Sequence, residues 1–162
     1  MIAVEAIMRS VAEHFGENQD EWGLVGLLHD IDYGKTEATP EKHGLLAEEI
    51  LKEKKVPDNI IRAIKSHNFK HTDVMPKNRM EKALIASDAI SGLLVACALV
   101  MPSKKLTDVK VATVKKKFKA KDFARGADRE RILICEEIGI PREKFFEIAL
   151  NGLKKVAQQI GL

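Results

Sequence analysis

The sequence predicts an all-α protein built as one domain, and three observations carry that prediction. Apolar residues recur at helical spacing in nearly every segment, and no run of alternating β-branched residues competes with them. The 162 residues suit one domain able to bury a substantial core. A composition of 45% hydrophobic and 31% charged residues suits a globular chain rather than a disordered one. The expected organisation is a helical core over 1–101 with a C-terminal helical extension over 102–162, within a single domain.

Taken in order, Ala3, Ile7, Val11 and Phe15 share one face of a first helix, which Gly16 closes. Asp20 is the expected N-cap of a second, with Trp22, Val25, Leu28 and His29 on one side and Gly23 and Gly26 permitting close packing. Tyr33-Gly34-Lys35 begins a loop. Thr39-Pro40-Glu41-Lys42 reads as the start of a third helix, with His43, Leu46, Ala47 and Ile50 as its inward stripe. Val56-Pro57-Asp58 opens a fourth, with Ile60, Ala63, Ile64 and His67 on one side. The polar stretch from Asn68 to Lys77 reads as a loop. A strongly apolar fifth helix follows and stops at Pro102. Further helices are expected around Val111–Phe118, over Asp128–Ile138 and after Pro141, where Phe145, Ile148, Ala149, Leu153, Val156 and Ile160 form the buried stripe.

From Ala83 to Met101 the only charged residue is Asp88, and the length approaches that of a membrane span. An ionised Asp in lipid would cost about 2.5–3.5 kcal/mol on insertion scales, and Ser87, Ser91 and Gly92 interrupt the run, so a buried core helix is the reading. No signal peptide is expected at the N-terminus, and the expected location is the cytoplasm. Cys97 and Cys135 lie far apart without CxxC spacing and read as small core residues in a reducing compartment. A net charge of +3 is too slight to imply nucleic acid as a partner, and it does not oppose a small anionic substrate.

The chemistry rests on ligand-type residues placed on otherwise apolar helix faces. His29-Asp30 ends the run Gly-Leu-Val-Gly-Leu-Leu, His43 starts one stripe, His67 finishes another, and Asp88 is the lone charge of the fifth helix. An unpaired buried charge costs several kcal/mol, on the order of 3–5, so such residues need partners or a metal. A mixed imidazole and carboxylate set suits a divalent ion such as manganese, iron, cobalt or zinc.

The segment Gly26-Leu27-Leu28-His29-Asp30-Ile31-Asp32 resembles the signature of the HD superfamily, in particular its HDIG-type branch, and Asp88 within Ala-Ser-Asp-Ala-Ile matches that family's distant helical Asp. His43 and His67 lie where binuclear members place extra ligands. The resemblance implies an HD-type helical bundle whose metal-site core spans 1–101. It further implies one or two divalent ions (magnesium among the candidates) on His29, Asp30, Asp88, His43 and His67. The implied activity is that of a phosphohydrolase on a small phosphate ester or nucleotide, through metal-activated water, with Asp30 and Lys35 as the catalytic candidates. The alternatives are a catalytically weak regulator that binds a nucleotide or protein partner, and a diiron oxygenase.

The family pattern also carries an early His on the first helix. Met1-Ile2-Ala3-Val4-Glu5-Ala6 resembles the stretch that follows it, so that ligand is not expected within the sequence, and His14 lies too late to replace it. His14 and His71 read as surface residues. Asp32 either orients a ligand imidazole or caps the loop. Lys35 is a candidate contact for a substrate phosphate, and Arg79, Arg125 and Arg129 are weaker ones. The lysines from Lys104 to Lys121, interspersed with Val111, Val114 and Phe118, read as a solvated helix face.

Overall fold

A computed structural model describes residues 1–162, and it contains helices and no strand. Helix α1 (Ile2–Phe15) buries Val4, Ile7, Met8 and Val11, and ends at Gly16, whose φ of 69° lets its N–H reach back to the carbonyls of Ala12 and Glu13. Helix α2 (Gln19–Leu28) is capped by Asn18, whose side chain accepts from the N–H groups of Asp20 and Glu21. The expected cap, Asp20, instead lies in the first turn, where it pairs with Arg9 at 2.7 Å. Helices α1 and α2 pack almost backbone to backbone at Gly26, where a Cβ would fall 2.9 Å from the Glu5 backbone. Only glycine allows that approach.

After α2 the chain turns through α3 (Tyr33–Thr36) and a 3₁₀ turn, Pro40–Lys42. The third helix does not begin there as the Thr-Pro-Glu pattern suggests. His43 is extended (φ −65°, ψ 129°), Gly44 takes φ 88°, and α4 spans Leu45–Glu53. Two interactions impose the break. Gly44 adopts a conformation other residues resist, and the Asp32 carboxylate accepts from the N–H groups of both Gly44 and Ala47. His43 therefore lies on a sharp corner rather than on a helical stripe.

Helix α5 (Asp58–His67) buries Ile60, Ile61, Ala63, Ile64 and His67, as its spacing predicts. The polar stretch that follows holds a short helix, α6 (Phe69–Thr72). Helix α7 (Arg79–Leu99) starts four residues before the apolar run. Asn78 and Glu81 form a reciprocal capping box there, and the fully buried Glu81 also pairs with Arg62 of α5 at 3.0 Å.

Helix α7 is the axis of the bundle: α1, α2, α5, α8 (Val111–Lys119), α9 (Arg129–Glu137) and α10 (Arg142–Lys155) all pack against it. Its length and hydropathy would suit a membrane span, but its apolar side chains, among them Leu84, Ile90, Leu93 and Leu94, are consumed by this core. The C-terminal helices share the same core, one cluster of 37 buried residues from Val4 to Ala157. Helix α10 lies directly on α1, with Gly152 placing its backbone against Ala6 and Ser10.

Candidate metal centre

The ends of α2 and α5, the corner at His43 and the middle of α7 meet at one point, and each contributes a side chain found in the sequence reading. His29 caps α2 and is 1% exposed. Its Nδ1–H donates to the Gly26 carbonyl at 2.8 Å, leaving Nε2 aimed at Asp30 Oδ2, 3.2 Å away, and Asp88 Oδ1, 3.5 Å away. His43 Nδ1–H donates to Asp32 Oδ1 at 2.8 Å, leaving its Nε2 3.3 Å from Asp30 Oδ1 and 2.8 Å from His67 Nε2. His67 Nδ1–H donates to the Ile64 carbonyl one turn back, so its Nε2 also faces inward, 3.8 Å from Asp30 Oδ1.

All three imidazoles therefore share one arrangement. Each Nδ1 is tied to a fixed acceptor, so that in the neutral ring the lone pair falls on Nε2. Asp30 stands between two groups, with one oxygen toward His29 and Asp88 and the other toward His43 and His67. One ligand atom from each of Asp30, His43 and His67 falls within 4.8 Å of the others.

Two features of the arrangement call for a cation. His29 Nε2 is buried and makes no well-directed hydrogen bond, although two carboxylates lie near it. His43 Nε2 and His67 Nε2 face each other at contact distance with both Nδ1 atoms already acting as donors, so a proton or a metal ion must lie between them. Imidazole nitrogens and carboxylate oxygens are the donor set that divalent transition ions accept, and the residues fit such an ion.

The electrostatics describe what holds the site in the absence of an ion. Burial works to lower the His29 pKa, but the Asp30 and Asp88 carboxylates outweigh it and raise it to about 9. Asp30 is pushed up by burial and pulled down further by His29 and His43, so it stays well below the usual carboxylate range. Asp88 is also lowered: burial opposes this, and His29, His67 and Arg131 prevail. His43 is raised chiefly by its hydrogen bond to Asp30, whereas burial and the charge on His29 depress His67 to about 4. The proton between the two facing imidazoles thus belongs to His43.

Asp32, fully buried, orients His43 with one oxygen; with the other it caps the start of α4, more than ten residues on, and not its own loop. Lys35 lies exposed on α3 and makes no ion pair. The three weaker arginine candidates are engaged elsewhere. Arg79 stacks over Phe15 at 5.0 Å, Arg125 pairs with Asp122 on the surface, and Arg129 donates to carbonyls including those of Phe118, Phe123, Ala124 and Ala127. His14 and His71 are exposed, as expected. The sequence reading missed Arg131, which reaches Asp88 Oδ2 at 3.5 Å and the His67 carbonyl at 2.8 Å. Nothing in the local pattern of α9 distinguishes it from the neighbouring arginine.

A helical bundle that gathers three histidines and two aspartates from two helix ends, a corner and the middle of a third helix defines a class of proteins that house metal centres within all-α folds. The HD domain family model matches residues 1–93, more than half of the chain, and the chain belongs to the HD domain family. Neither the curated proteins nor the solved structures include a match to it.

Proposed function

We propose that the protein is a metal-dependent phosphohydrolase with a two-ion centre, acting in the cytoplasm on a small phosphate ester, most naturally a nucleotide. The observation that carries this reading is Asp30, whose two oxygens face two separate nitrogen groups, 3.2 Å from His29 and 3.3 Å from His43. His29, Asp30 and Asp88 would hold one ion, and Asp30, His43 and His67 the other. Divalent ions in this position would supply Lewis acidity to phosphoryl oxygens and lower the pKa of water.

The protein's own part is orientation. The Gly26 and Ile64 carbonyls and the Asp32 carboxylate fix the three rings with Nε2 inward. The buried positions of His29 and His67 keep bulk water from those nitrogens, and the partly exposed carboxylates of Asp30 and Asp88, with His43 beside them, form the open side through which a substrate would approach. Lys35, exposed and unpaired, is assigned to meet a phosphate oxygen as a point charge. The modest charge of +3 favours a small substrate over nucleic acid.

The test combines elemental analysis of the purified protein with a panel of phosphate esters and nucleotides assayed with manganese, iron, cobalt, zinc and magnesium. Bound transition metal, turnover, and loss of both in Asp30→Ala are expected. Lys35→Ala is expected to raise KM while metal content stays the same. A fully metallated protein that turns over none of the panel would refute the hydrolase. Thermal stabilisation by a nucleotide without product would then favour a regulator.

A further inference from the structure

Helix α9 lies beyond the segment that matches the HD domain, yet it delivers a guanidinium to the centre of the site. Arg131 Nη2 donates to the backbone carbonyl of His67 at 2.8 Å and stands 3.5 Å from Asp88 Oδ2. The His67 carbonyl is one of the last of α5, which have no partner within the helix, and a cation at a helix C-terminus is favourable on both hydrogen-bonding and dipole grounds. Asp88 presents its other oxygen, Oδ1, to His29. One side chain therefore joins the backbone of one ligand residue to the carboxylate of another, across two helices. The position of α9 is itself fixed: Ile132 and Cys135 are fully buried in the core, and Glu137 pairs with Lys82 of α7 at 2.8 Å.

We infer that Arg131 is a positioning residue of the metal centre, and that the C-terminal extension completes a site the HD segment alone leaves slack. Its Nη2 holds Asp88 with Oδ1 toward His29 and holds the end of α5 at the distance that brings His67 to Asp30. Both contacts are made by one nitrogen at the far end of the side chain; lysine preserves the charge, but its shorter stem stops short of the point between the carbonyl and the carboxylate. This inference rests on the metal-centre reading proposed above.

Charge and position make opposite predictions. A positive charge beside a metal ligand repels an incoming cation, so if Arg131 were only a charge, Arg131→Ala would tighten metal binding and Arg131→Lys would leave it unchanged. If it positions the ligands, both substitutions weaken binding. The experiment is calorimetric titration of the metal-free full chain with Mn²⁺, for the wild type, Arg131→Lys and Arg131→Ala. Arg125→Ala serves as a surface control, and far-UV circular dichroism confirms the fold.

The expected result is a loss of affinity of about tenfold or more in Arg131→Lys, in the range typical of residues that orient metal ligands, with no change in the control. Should Arg131→Ala fail to fold, Arg131→Lys decides alone. Wild-type affinity in Arg131→Lys, or tighter binding in Arg131→Ala, would overturn the inference while leaving the metal centre standing. A wild type that binds no Mn²⁺ would remove the metal centre itself, and the inference with it.

Discussion

Replacing Asp32 by Asn should disable one half of the centre without unfolding the protein. Asp32 Oδ2 accepts from the N–H groups of Gly44 and Ala47, at 2.8 and 3.0 Å, and Oδ1 accepts from His43 Nδ1 at 2.8 Å. An asparagine of the same shape has one oxygen and one NH₂. Two backbone donors claim the oxygen, so the NH₂ turns to His43. Nδ1 must then become an acceptor, and the ring proton moves to Nε2, the atom that faces Asp30 and His67.

For Nε2 to bind a metal in this variant, Nδ1–H would have to confront the NH₂. The lost charge-assisted bond is worth about 1.5–3 kcal/mol, which corresponds to roughly a ten- to hundredfold weaker affinity at that site. The caps on α4 survive, so stability should fall by only about 1 kcal/mol. Asp32→Ala removes all three bonds and should lower stability as well as affinity. Mn²⁺ titration together with ¹⁵N NMR of the His43 ring checks both points. Unchanged affinity with a bare Nε2 in Asp32→Asn would show that Asp32 is a cap and nothing more.

Four other outcomes are expected. In Gly26→Ala the new methyl starts 2.9 Å from backbone atoms of Val4 and Glu5, so α1 must retreat by about half an ångström; denaturant unfolding should show a loss of about 1–3 kcal/mol. In metal-free protein the raised His29 pKa contributes stability that is full below about 6.5 and lost as pH rises through about 9, whereas the depressed His67 acts only below 6.5. Melting temperature should therefore fall between pH 6.5 and 9 in chelator, and a flat profile there would contradict the pairing of His29 with two carboxylates. Burial pushes the Cys97 thiol up to about 11 and that of Cys135 to about 12, so neither should react with iodoacetamide at pH 8 until the protein unfolds. Arg129→Lys should destabilise by about 2 kcal/mol in thermal melts, because one ammonium cannot serve the ring of carbonyls the guanidinium now satisfies.

The long elements were legible because their burial is periodic: α1, α5, α7, α8 and α10 fall where apolar spacing places them, and Pro57, Asp128 and Pro141 mark helix starts as expected. The five ligand-type residues could be gathered for a related reason, since a histidine or aspartate on an apolar face needs a partner. What escaped was set by contacts distant in sequence. His43 leaves its helix because Asp32, eleven residues earlier, captures the N–H groups of the next turn. The start of α7 lies in polar residues whose value depends on Glu81 being buried beside Arg62. Arg131 acts across 64 residues on a backbone carbonyl, for which no local pattern exists.

The facing Nε2 atoms of His43 and His67 also bear on how the centre acquires its ion. With both Nδ1 atoms donating, only a proton or a metal ion can occupy the place between them, and while no ion is bound the raised pKa of His29 favours a proton on that ring as well. Each ion that enters must therefore expel protons, so metal loading weakens as pH falls. Which divalent ion displaces those protons is set by the metals the surroundings hold available, weighed by their affinity for nitrogen and carboxylate.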